Sequence, residues 1–342
     1  MMMQSPVIEM KDFRERLFGQ NHLSFDEMKY LAESVIRGEF SDSQLGATLM
    51  AMKINGITAV ELAGFAEVMQ SMAMDIPFQG DHVMDNCGTG GDHLNTFNVS
   101  TTAAFVLAGG GVTMAKHGNR SISSRSGSAD VLEKLGIDIN ASAEMIGDQL
   151  HEIGIAFLFA PSMHPGMKAV MKVRQELGTP TIFNLLGPLI NPVKLSNQLM
   201  GTYEGSTMEE TALALGKLGR KRSVVVHGFG GMDEANLAGK TKMILNYQGQ
   251  IEERLFTPEE VGLKRLPLQA IIGGGAEQNA EILVSCLENE PSPFLETVLL
   301  NAGLGFFASG LEQSIETGIS RARSVIASGA AMDKLVALQG RK

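Results

Sequence analysis

The sequence predicts an α/β protein, with a small helical domain at the N-terminus and a larger domain built on a central, mostly parallel sheet. Residues 1–76 are dominated by segments in which apolar side chains recur with helical spacing. After Pro77, short apolar runs alternate with glycine-rich loops and helical stretches, a pattern typical of a parallel sheet flanked by helices. We therefore expect a helical domain at 1–76 and an α/β domain at 77–342.

Three N-terminal helices are predicted, each opened by a hydroxyl residue that can cap the first turn: Ser24, Ser41 and Thr58. None of these segments carries a group suited to chemistry, so we expect them to serve packing or an oligomer interface. The apolar positions that offer a wider face than one small domain needs are Leu45, Leu49, Phe65 and Met69.

Beyond Pro77, short apolar runs predict strands and longer periodic segments predict helices. The predicted strands are Val112–Ala115, Ile155–Phe159, Leu199–Tyr203, Ser223–Val226 and Met243–Tyr247. The predicted C-terminal helices are Glu277–Leu287, Phe294–Ala308 and Leu311–Ala327.

The charge balance argues against a nucleic-acid partner. Lys and Arg number 28 against 38 Asp and Glu, so the formal net charge is −10, and any phosphate ligand needs a local site. The two cysteines, Cys87 and Cys286, are too few for a disulfide framework or a zinc site and fit a reducing cytoplasm. Residues 1–12 lack a secretory pattern, and no apolar run reaches the roughly 18 residues of a membrane span.

A glycine-rich stretch at 85–92, DNCGTGGD, precedes NTFNVSTT at 95–102 and then an apolar segment. This order suggests a strand, a loop and a helix N-terminus, which can turn unpaired backbone amides towards a phosphate. The stretch matches neither the P-loop pattern GxxxxGK[ST] nor the dinucleotide pattern GxGxxG. Taken alone, the loop leaves an anion site and a merely tight turn equally open.

A second loop, KHGNRSISSRSGS at 116–128, follows the predicted strand Val112–Ala115. Three cations, two glycines, four serines at 121, 123, 124 and 126 and a fifth serine at 128 share this short stretch. In an acidic chain, such a local group of cations and hydroxyl donors favours a phosphate or pyrophosphate site over a solvated basic loop.

Two acidic residues, Asp233 and Glu234, end the loop HGFGGMDE at 227–234, which follows a predicted strand. Adjacent acidic side chains are most often solvated surface. At the end of a strand and near an expected phosphate site, their hard oxygen atoms suit Mg²⁺ that is held jointly with substrate phosphates. We therefore predict a magnesium site.

The remaining motifs are PSMHP at 161–165, VRQELG at 173–178 and TIFNLLGPLINP at 181–192. On physical grounds alone, Arg174 could simply form a salt bridge on a helix. In their order and spacing, however, all these motifs resemble the anthranilate phosphoribosyltransferase family, which spells its loops GTGGD, NTFN with ST, KHGNR with SxSS, VRxELG, TIFNLLGPL-NP and DE after HG. The resemblance runs from about residue 10 to about residue 335 and includes Gly273-Gly274.

The resemblance implies a nucleoside phosphorylase/phosphoribosyltransferase-type fold, shared with pyrimidine nucleoside phosphorylases, with the active site in the cleft between the domains. It implies that residues about 165–190 rejoin the helical domain, which brings Arg174 to the cleft, and that two chains form a homodimer through their helical parts. The implied reaction joins the ribose 5-phosphate of phosphoribosyl pyrophosphate (PRPP) to the amine of anthranilate.

The resemblance also assigns roles to residues of this chain. PRPP would contact Gly88, Gly91, Asp92, Thr96, Asn98, Val99, Ser100, Thr101, Lys116, His117, Gly118, Asn119, Arg120, Ser121, Ile122, Ser123, Ser124 and Ser128. Mg²⁺ would be held by Ser100, Asp233 and Glu234, with a second Mg²⁺ in the same active site. Anthranilate would contact Gly88, Asn119 and Arg174, with His117 lining that side.

Two places depart from the family pattern. His93-Leu94 follows GTGGD where the family usually has glycine and a small residue, which could alter the mobility of the loop. Thr179-Pro180 stands where a basic residue often precedes TIFN, which leaves one cation fewer near the mouth of the site.

The implied reaction depends on charge stabilisation and alignment rather than proton transfer, because the amine of anthranilate is already neutral near pH 7. No general base is required, and His117 is the possible acid–base group. A pyrimidine nucleoside phosphorylase-like enzyme is an alternative, although it lacks the VRxELG and KHGNR combination. A non-enzymatic, nucleic-acid-binding paralogue conflicts with the acidic chain and with Asp233-Glu234, and a redox protein using Cys87 has no partner cysteine.

Overall fold

The computed structural model describes residues 10–121 and 125–340, which contain an N-terminal group of helices and a seven-stranded sheet. The strands are β1 Val83–Asp85, β2 Thr113–Gly118, β3 Ile155–Phe159, β4 Asn197–Gly201, β5 Arg222–His227, β6 Thr241–Tyr247 and β7 Gln250–Phe256. The α-helices are α1 Met10–Phe18, α2 Phe25–Ile36, α3 Asp42–Asn55, α4 Ala59–Ser71, α5 Val99–Gly109, α6 Ser128–Lys134, α7 Ala143–Glu152, α8 Ala160–Met163, α9 Lys168–Leu177, α10 Ile182–Leu189, α11 Met208–Lys217, α12 Ala276–Leu287, α13 Pro293–Ser309, α14 Ile315–Ala327 and α15 Ala330–Gln339. The predicted site residues Ile122, Ser123 and Ser124 lie outside the described residues.

The N-terminal helices begin where the sequence predicted. Ser24, Ser41 and Thr58 each accept a hydrogen bond from the backbone amide three residues later, and the side chain of that later residue accepts one in return. These reciprocal caps satisfy amides that the first turn of a helix leaves unpaired.

Helices α2, α3 and α4 share one hydrophobic core with α9 and α10. Val173 of α9 is buried in it, and the ring of Phe183 from α10 meets the ring of Phe65 edge to face at 5.3 Å. The segment around 165–190 therefore packs with the N-terminal helices, while the domain limits at 76 and 77 stay a prediction.

One expectation about the helical domain was wrong. The four apolar residues offered as an oligomer face are at most 3% exposed within the single chain, because they fill the shared core: Leu45, Leu49, Phe65 and Met69. They cannot contact a second copy.

The sheet has the strand order β3-β2-β1-β4-β5-β6-β7. The first five strands are parallel, β6 is antiparallel to β5, and β7 is antiparallel to β6. Alternate residues of β5 enter different cores: Val224 and Val226 pack with α13, whereas Val225 packs with the helical bundle. Helices thus cover both faces, as a mostly parallel sheet requires. The predicted fold class is confirmed.

Strand β1 marks the point where the chain changes direction across the sheet. The chain goes from β1 to β2 and β3 on one side, then returns to place β4 on the other side of β1. In open parallel sheets, ligands bind at such a switch point, outside the carboxyl ends of the strands. The loops that follow β1, β2, β4 and β5 all leave the sheet at this edge.

Several predicted boundaries were wrong. Strand β4 spans Asn197–Gly201 rather than Leu199–Tyr203, so it begins and ends two residues earlier. Strand β2 continues to Gly118 rather than ending at Ala115, because its residues from Met114 to Gly118 pair with β3. Helix α14 begins at Ile315 rather than Leu311, since Gly310 ends α13 with a φ of 81° and Ser314 caps the new helix. Strand β7 was not predicted. In the described part of the chain, no helix is both long enough and apolar enough to cross a membrane.

Candidate active site

The acidic pair Asp233-Glu234 lies against the carboxyl ends of β1 and β4. Close approach is possible because two of the neighbouring residues are glycines: a Cβ on Gly88 would overlap the carboxylate of Asp233, and one on Gly201 would overlap its backbone carbonyl. Buried Asn301 on α13 then fixes the segment, accepting from the Ala235 amide at 3.2 Å and donating to the Ala235 carbonyl at 2.8 Å.

Backbone amides from both sides hold the two carboxylates. The Gly90 amide donates to Asp233 Oδ2 at 2.7 Å, and the Ser100 amide, in the first turn of α5, donates to Glu234 Oε1 at 2.9 Å. Glu234 therefore lies at the positive end of a helix, which Asn98 does not cap with its side chain. The pair connects the glycine loop, helix α5 and strand β4.

Burial dominates the electrostatics of this pair. Burial, together with the charge of Asp92, raises the pKa of Asp233. Burial, together with the charge of Asp233, raises the pKa of Glu234. Lys116 offsets part of this cost, since its buried ammonium contacts Ser100 Oγ at 3.3 Å and favours the ionised form of Glu234. Two carboxylates that resist joint ionisation are suited to a divalent cation, which removes their repulsion.

The donor set beside the pair fits Mg²⁺. A small cavity of about 10 Å³ is lined by Ser100, Asp233, Glu234 and Asn86, among others. Within the described residues, the side-chain oxygen of Asn86 is buried without a hydrogen-bond partner, while its nitrogen donates to the Ser100 carbonyl at 2.8 Å. Hydroxyl, carboxylate and amide oxygens are the ligands that Mg²⁺ prefers.

The loop after β1 presents backbone rather than side chains. Gly90 and Gly91 adopt φ angles of 66° and 85°, and the Thr89 amide is fixed to the Gly201 carbonyl at 3.0 Å. The loop then leads into the N-terminus of α5, as the sequence predicted. Consecutive turned amides before a helix N-terminus form an arrangement suited to an anion.

Several predicted PRPP contacts fall on buried positions. Val99 and Thr101 are at most 2% exposed, so their side chains face the core and only their backbone could meet a ligand. Lys116 and His117 are each 3% exposed and belong to β2 rather than to the loop after it. Asn98 is an internal link, donating to the Ser126 carbonyl at 3.3 Å and accepting from Asn279 at 2.9 Å.

The loop after β2 is more accessible. Asn119 and Arg120 are exposed, and Ser121 and Ser128 are half-buried. The guanidinium of Arg120, predicted as a phosphate ligand, instead pairs with Asp130 at 2.9 Å and with Glu133 at 3.0 Å. Phosphate would have to compete with these two carboxylates or use the outer N–H groups of Arg120.

His117 is locked as a neutral imidazole. Its Nδ1–H donates to the Gly187 carbonyl at 3.1 Å, and its Nε2 has no partner among the described residues. Burial and the neighbouring His164, whose ring lies 5.2 Å away, lower the pKa of His117 to about 3. A base this weak is poorly suited to proton transfer at neutral pH.

Arg174 projects from α9 without the salt bridge that the simpler interpretation required. Its guanidinium lies 5.2 Å from the centre of the Phe183 ring, and no carboxylate pairs with it in the described part of the chain. Burial lowers the pKa of this guanidinium without a compensating acid. A half-buried cation that lacks a counter-charge is suited to an anionic ligand.

Buried Asp85, at the end of β1, was missed by the sequence analysis. Its carboxylate accepts from the Asn86 amide at 2.7 Å, from Cys87 Sγ at 3.1 Å and from Asn191 Nδ2 at 3.1 Å. Asn191, from the INP segment, also donates to the Ala115 carbonyl at 2.8 Å. Asp85, three residues before the GTGGD motif, was the available signal, but its partner Asn191 is 106 residues away in the sequence.

The same contacts weaken the redox alternative. Burial and the neighbouring Asp85 raise the pKa of the Cys87 thiol well above its ordinary value. A thiol that stays protonated and buried is a poor nucleophile and a poor redox centre.

The two departures from the family motif have structural consequences. His93 adopts a φ of 58°, in the left-handed region where glycine is more comfortable. Thr179 accepts a hydrogen bond from the ammonium of Lys53 on α3. A cation from another helix thus lies near the position where a basic residue is missing.

Comparison with known proteins agrees with this geometry. Residues 11–73 match the model of a glycosyl transferase family helical bundle domain, and residues 80–332 match its a/b domain. Anthranilate phosphoribosyltransferase of Listeria monocytogenes is 53% identical over 95% of this chain and 96% of its own length. The enzyme of the same name from Streptococcus gordonii is 53% identical over 96% of this chain and 99% of its own length.

Solved structures agree in fold. Anthranilate phosphoribosyltransferase of Thermus thermophilus superposes with a TM-score of 0.91 at 40% identity, covering 96% of this chain and 98% of its own. The Saccharomyces cerevisiae enzyme in complex with PRPP and Mg has a TM-score of 0.86 at 27% identity, covering 95% of each chain. This chain therefore belongs to the glycosyl transferase family that these models describe, and within it to the anthranilate phosphoribosyltransferases.

Proposed function

We propose that the chain transfers the 5-phosphoribosyl group of PRPP to the amine of anthranilate with the site residues described above. The observation that carries the proposal is the acidic pair Asp233-Glu234, clamped between the amides of the glycine loop and of helix α5. This contact supports a divalent-cation site directly beside the glycine loop that is proposed to bind the phosphates.

In the reaction, the bond between C1 of the ribose and the pyrophosphate oxygen breaks, and a bond from C1 to the amine nitrogen forms. Positive charge develops on the ribose ring and negative charge on the departing pyrophosphate. Ser100, Asp233 and Glu234 would hold Mg²⁺, which would neutralise part of that negative charge. The amides of the glycine loop and the donors of loop 116–128 hold the phosphates in line, so the chain's own contribution is alignment and fixed dipoles.

Anthranilate is proposed to bind on the side of α9 and α10. The unpaired guanidinium of Arg174 would receive its carboxylate, with Gly88 and Asn119 completing the contact. The amine proton is lost to solvent after the C1–N bond forms. No side chain of this chain is assigned as a general base, since His117 is too weakly basic.

Three further features are part of the proposal. We infer two Mg²⁺ ions per active site, because the pair and the pyrophosphate together offer more oxygen ligands than one ion needs. A homodimer through the helical domain is supported by its exposed apolar side chains, Ile54 at 72% and Phe18 at 52%. Light scattering should give twice the mass of one chain, and a monomer at micromolar concentration would contradict the dimer.

A cytoplasmic location stays a prediction from the two unpaired cysteines.

The test of the function follows the loss of anthranilate fluorescence. With PRPP and Mg²⁺ present, fluorescence should fall at a rate proportional to enzyme, and removal of Mg²⁺ by a chelator should stop it. Thymidine with inorganic phosphate, the substrates of the phosphorylase alternative, should give no thymine. Turnover of thymidine without loss of anthranilate would contradict the proposal.

A further inference from the structure

The loop after β2 is closed at its base by one carboxylate. Asp130, in the first turn of α6, accepts two backbone hydrogen bonds on the same oxygen: Oδ2 receives the Gly127 amide at 2.9 Å and the Ser121 amide at 3.1 Å. Its other oxygen, Oδ1, accepts a hydrogen bond from the Arg120 guanidinium at 2.9 Å. Arg120 and Ser121 precede residues 122–124 in the sequence and Gly127 follows them, so the donors come from both limbs of the loop.

The two limbs are also in direct contact. A Cβ on Gly127 would lie 2.6 Å from the Asn119 carbonyl oxygen and 2.6 Å from the Arg120 carbonyl carbon, so only glycine allows this approach. The Asn119 carbonyl accepts from Ser128 Oγ at 3.2 Å and from the Ala129 amide at 3.2 Å. The base of the loop is therefore a packed neck, and Asp130 is the one acidic group that bonds to both of its limbs among the described residues.

An ordinary helix cap does not explain this arrangement. Glu27 of α2 occupies the same third position, accepts its own cap amide from Ser24 at 2.8 Å and pairs with Arg16. At α3 the neutral side chain of Gln44 performs the same cap. What Asp130 adds is the amide of a second segment, Ser121. Burial raises the pKa of Asp130, but its hydrogen bonds with Gly127, Ser121 and Arg120 outweigh burial and keep it below the ordinary value.

We propose that Asp130 is a positioning residue for PRPP: its carboxylate joins residues 119–121 to residues 127–129 and thereby fixes Asn119, Arg120 and Ser121, which are proposed to meet the substrate. This inference rests on the proposed binding of PRPP by the same loop. Asp130 itself faces the loop's own amides, so it acts through them. Glu133 has a different part, since it contacts only the Arg120 guanidinium.

The decisive variant is Asp130→Asn, which keeps the shape of the side chain. An amide has one acceptor oxygen, so its nitrogen must face either the two backbone amides or the Arg120 guanidinium, and one set of donors loses its partner. We expect the KM for PRPP to rise about ten- to hundredfold, as for other small misplacements of binding groups. The KM for anthranilate should rise less than the KM for PRPP, because Arg174 and Gly88 are untouched and Asn119 is the one proposed anthranilate contact that belongs to the neck.

A second variant reaches the same neck without touching Asp130. Gly127→Ala should wedge the limbs apart and raise the KM for PRPP in the same way. The matched control is Glu27→Gln, a capping acid with its own arginine in the helical domain, which should leave both KM values unchanged. Glu133→Gln, which removes only the pairing with Arg120, should change the KM for PRPP by less than about threefold.

The outcomes separate this inference from the binding assignment. The variant Ser121→Ala removes a proposed PRPP donor but keeps the backbone amide that donates to Asp130, and it should also raise the KM for PRPP. If it does so while Asp130→Asn and Gly127→Ala do not, the positioning role is overturned and the loop assignment stands. If the serine variant has no effect, both are overturned. Equal rises in the two KM values with a lowered melting temperature for Asp130→Asn, or an equal effect of Glu133→Gln, would also overturn the positioning role.

Discussion

The proposed pyrophosphate side and the proposed anthranilate side of the site are built differently. On the pyrophosphate side, Asp233 and Glu234 are held by the backbone amides of Gly90 and Ser100, and glycines make room for them. On the proposed anthranilate side, the partner proposed for the substrate carboxylate is a single side chain, Arg174, which packs on an aromatic ring. Where glycines and backbone amides hold the carboxylates, an added side-chain atom would not fit, and binding depends on the charge of the acidic pair. Where a single side chain is the binding group, that side chain can be removed without changing the shape of the backbone. Variants should therefore separate the two substrates.

The largest effect is expected from Asp233→Asn combined with Glu234→Gln. The amide side chains can still accept from Gly90 and Ser100, but they cannot neutralise a cation, so turnover should fall by about a thousandfold or more. Steady-state rates at saturating Mg²⁺ and PRPP measure this, with circular dichroism as the control for folding. Near-normal activity in limiting Mg²⁺ would contradict the metal assignment.

The same variant should be more stable than the native chain when no metal is present. Because burial raises the pKa of both carboxyls in the folded protein, their contribution to stability is present below their unfolded pKa of about 4 and lost as pH rises through the folded values. Removing them cancels that loss. Thermal melts in a chelator should give a difference in Tm that favours the variant and grows from about pH 5 to about pH 8. A difference that is constant with pH would contradict the raised pKa values.

The next effect is expected from Arg174→Ala. Loss of a planar fork of donors to a carboxylate should cost about 2–4 kcal/mol in kcat/KM for anthranilate, on the order of 30- to 1,000-fold. The KM for PRPP should move little. Arg174→Lys is the matched control and should recover only part of the loss, because a point charge cannot bind both oxygens. Equal losses for both substrates with a lowered Tm would mean that Arg174 only supports the helix.

A smaller effect is expected at His117, and it distinguishes positioning from proton transfer. In His117→Asn, the side-chain amide can still donate to the Gly187 carbonyl from the place of Nδ1, so activity should fall by less than about tenfold. In His117→Gln, the amide overlaps Nε2 and loses that contact, so it should be the more damaging of the two. A loss of a hundredfold or more in both variants would instead indicate an acid–base role.

The smallest effect is expected from His93→Gly. The φ of 58° is strained for histidine, and glycine relieves the strain while making the unfolded chain more flexible. The free energy of unfolding should therefore change by less than about 1 kcal/mol. Activity should stay within about twofold, as measured by melts and rates side by side. A large loss of activity would show that the imidazole contacts a substrate.

Local signals predicted most of the fold. The caps at Ser24, Ser41 and Thr58 are confirmed because a capping box is complete within four residues. Strand β7 was missed because six of its seven residues are exposed, so it lacks an apolar pattern. It forms because it pairs with β6 through a tight turn at Gln248-Gly249, both with positive φ. A strand that forms mainly through pairing with its neighbour need not show an apolar pattern in its own sequence.

The sequence predicted which segments meet at the candidate site but not the contacts between them. The motifs named the glycine loop and the acidic pair correctly as neighbours, since both follow parallel strands. They could not show that Lys116 is buried in β2, or that Arg120 pairs with Asp130 and Glu133. These contacts depend on the register between β2 and β3 and on where α6 begins. Contacts between residues far apart in the sequence, including the hydrogen bond from Asn191 to Asp85, cannot be predicted from a local sequence pattern.

The separation of the two sides can be measured directly by calorimetric titration of PRPP, with and without Mg²⁺, into three proteins: the native chain, Arg174→Ala, and Asp233→Asn/Glu234→Gln. We predict that Arg174→Ala binds PRPP with native affinity and the native dependence on Mg²⁺. The acidic-pair variant should lose the part of the affinity that Mg²⁺ adds. If Arg174→Ala weakens PRPP binding as much as it impairs anthranilate, or if the acidic-pair variant keeps its Mg²⁺-dependent affinity, the assignment of the two sides is contradicted.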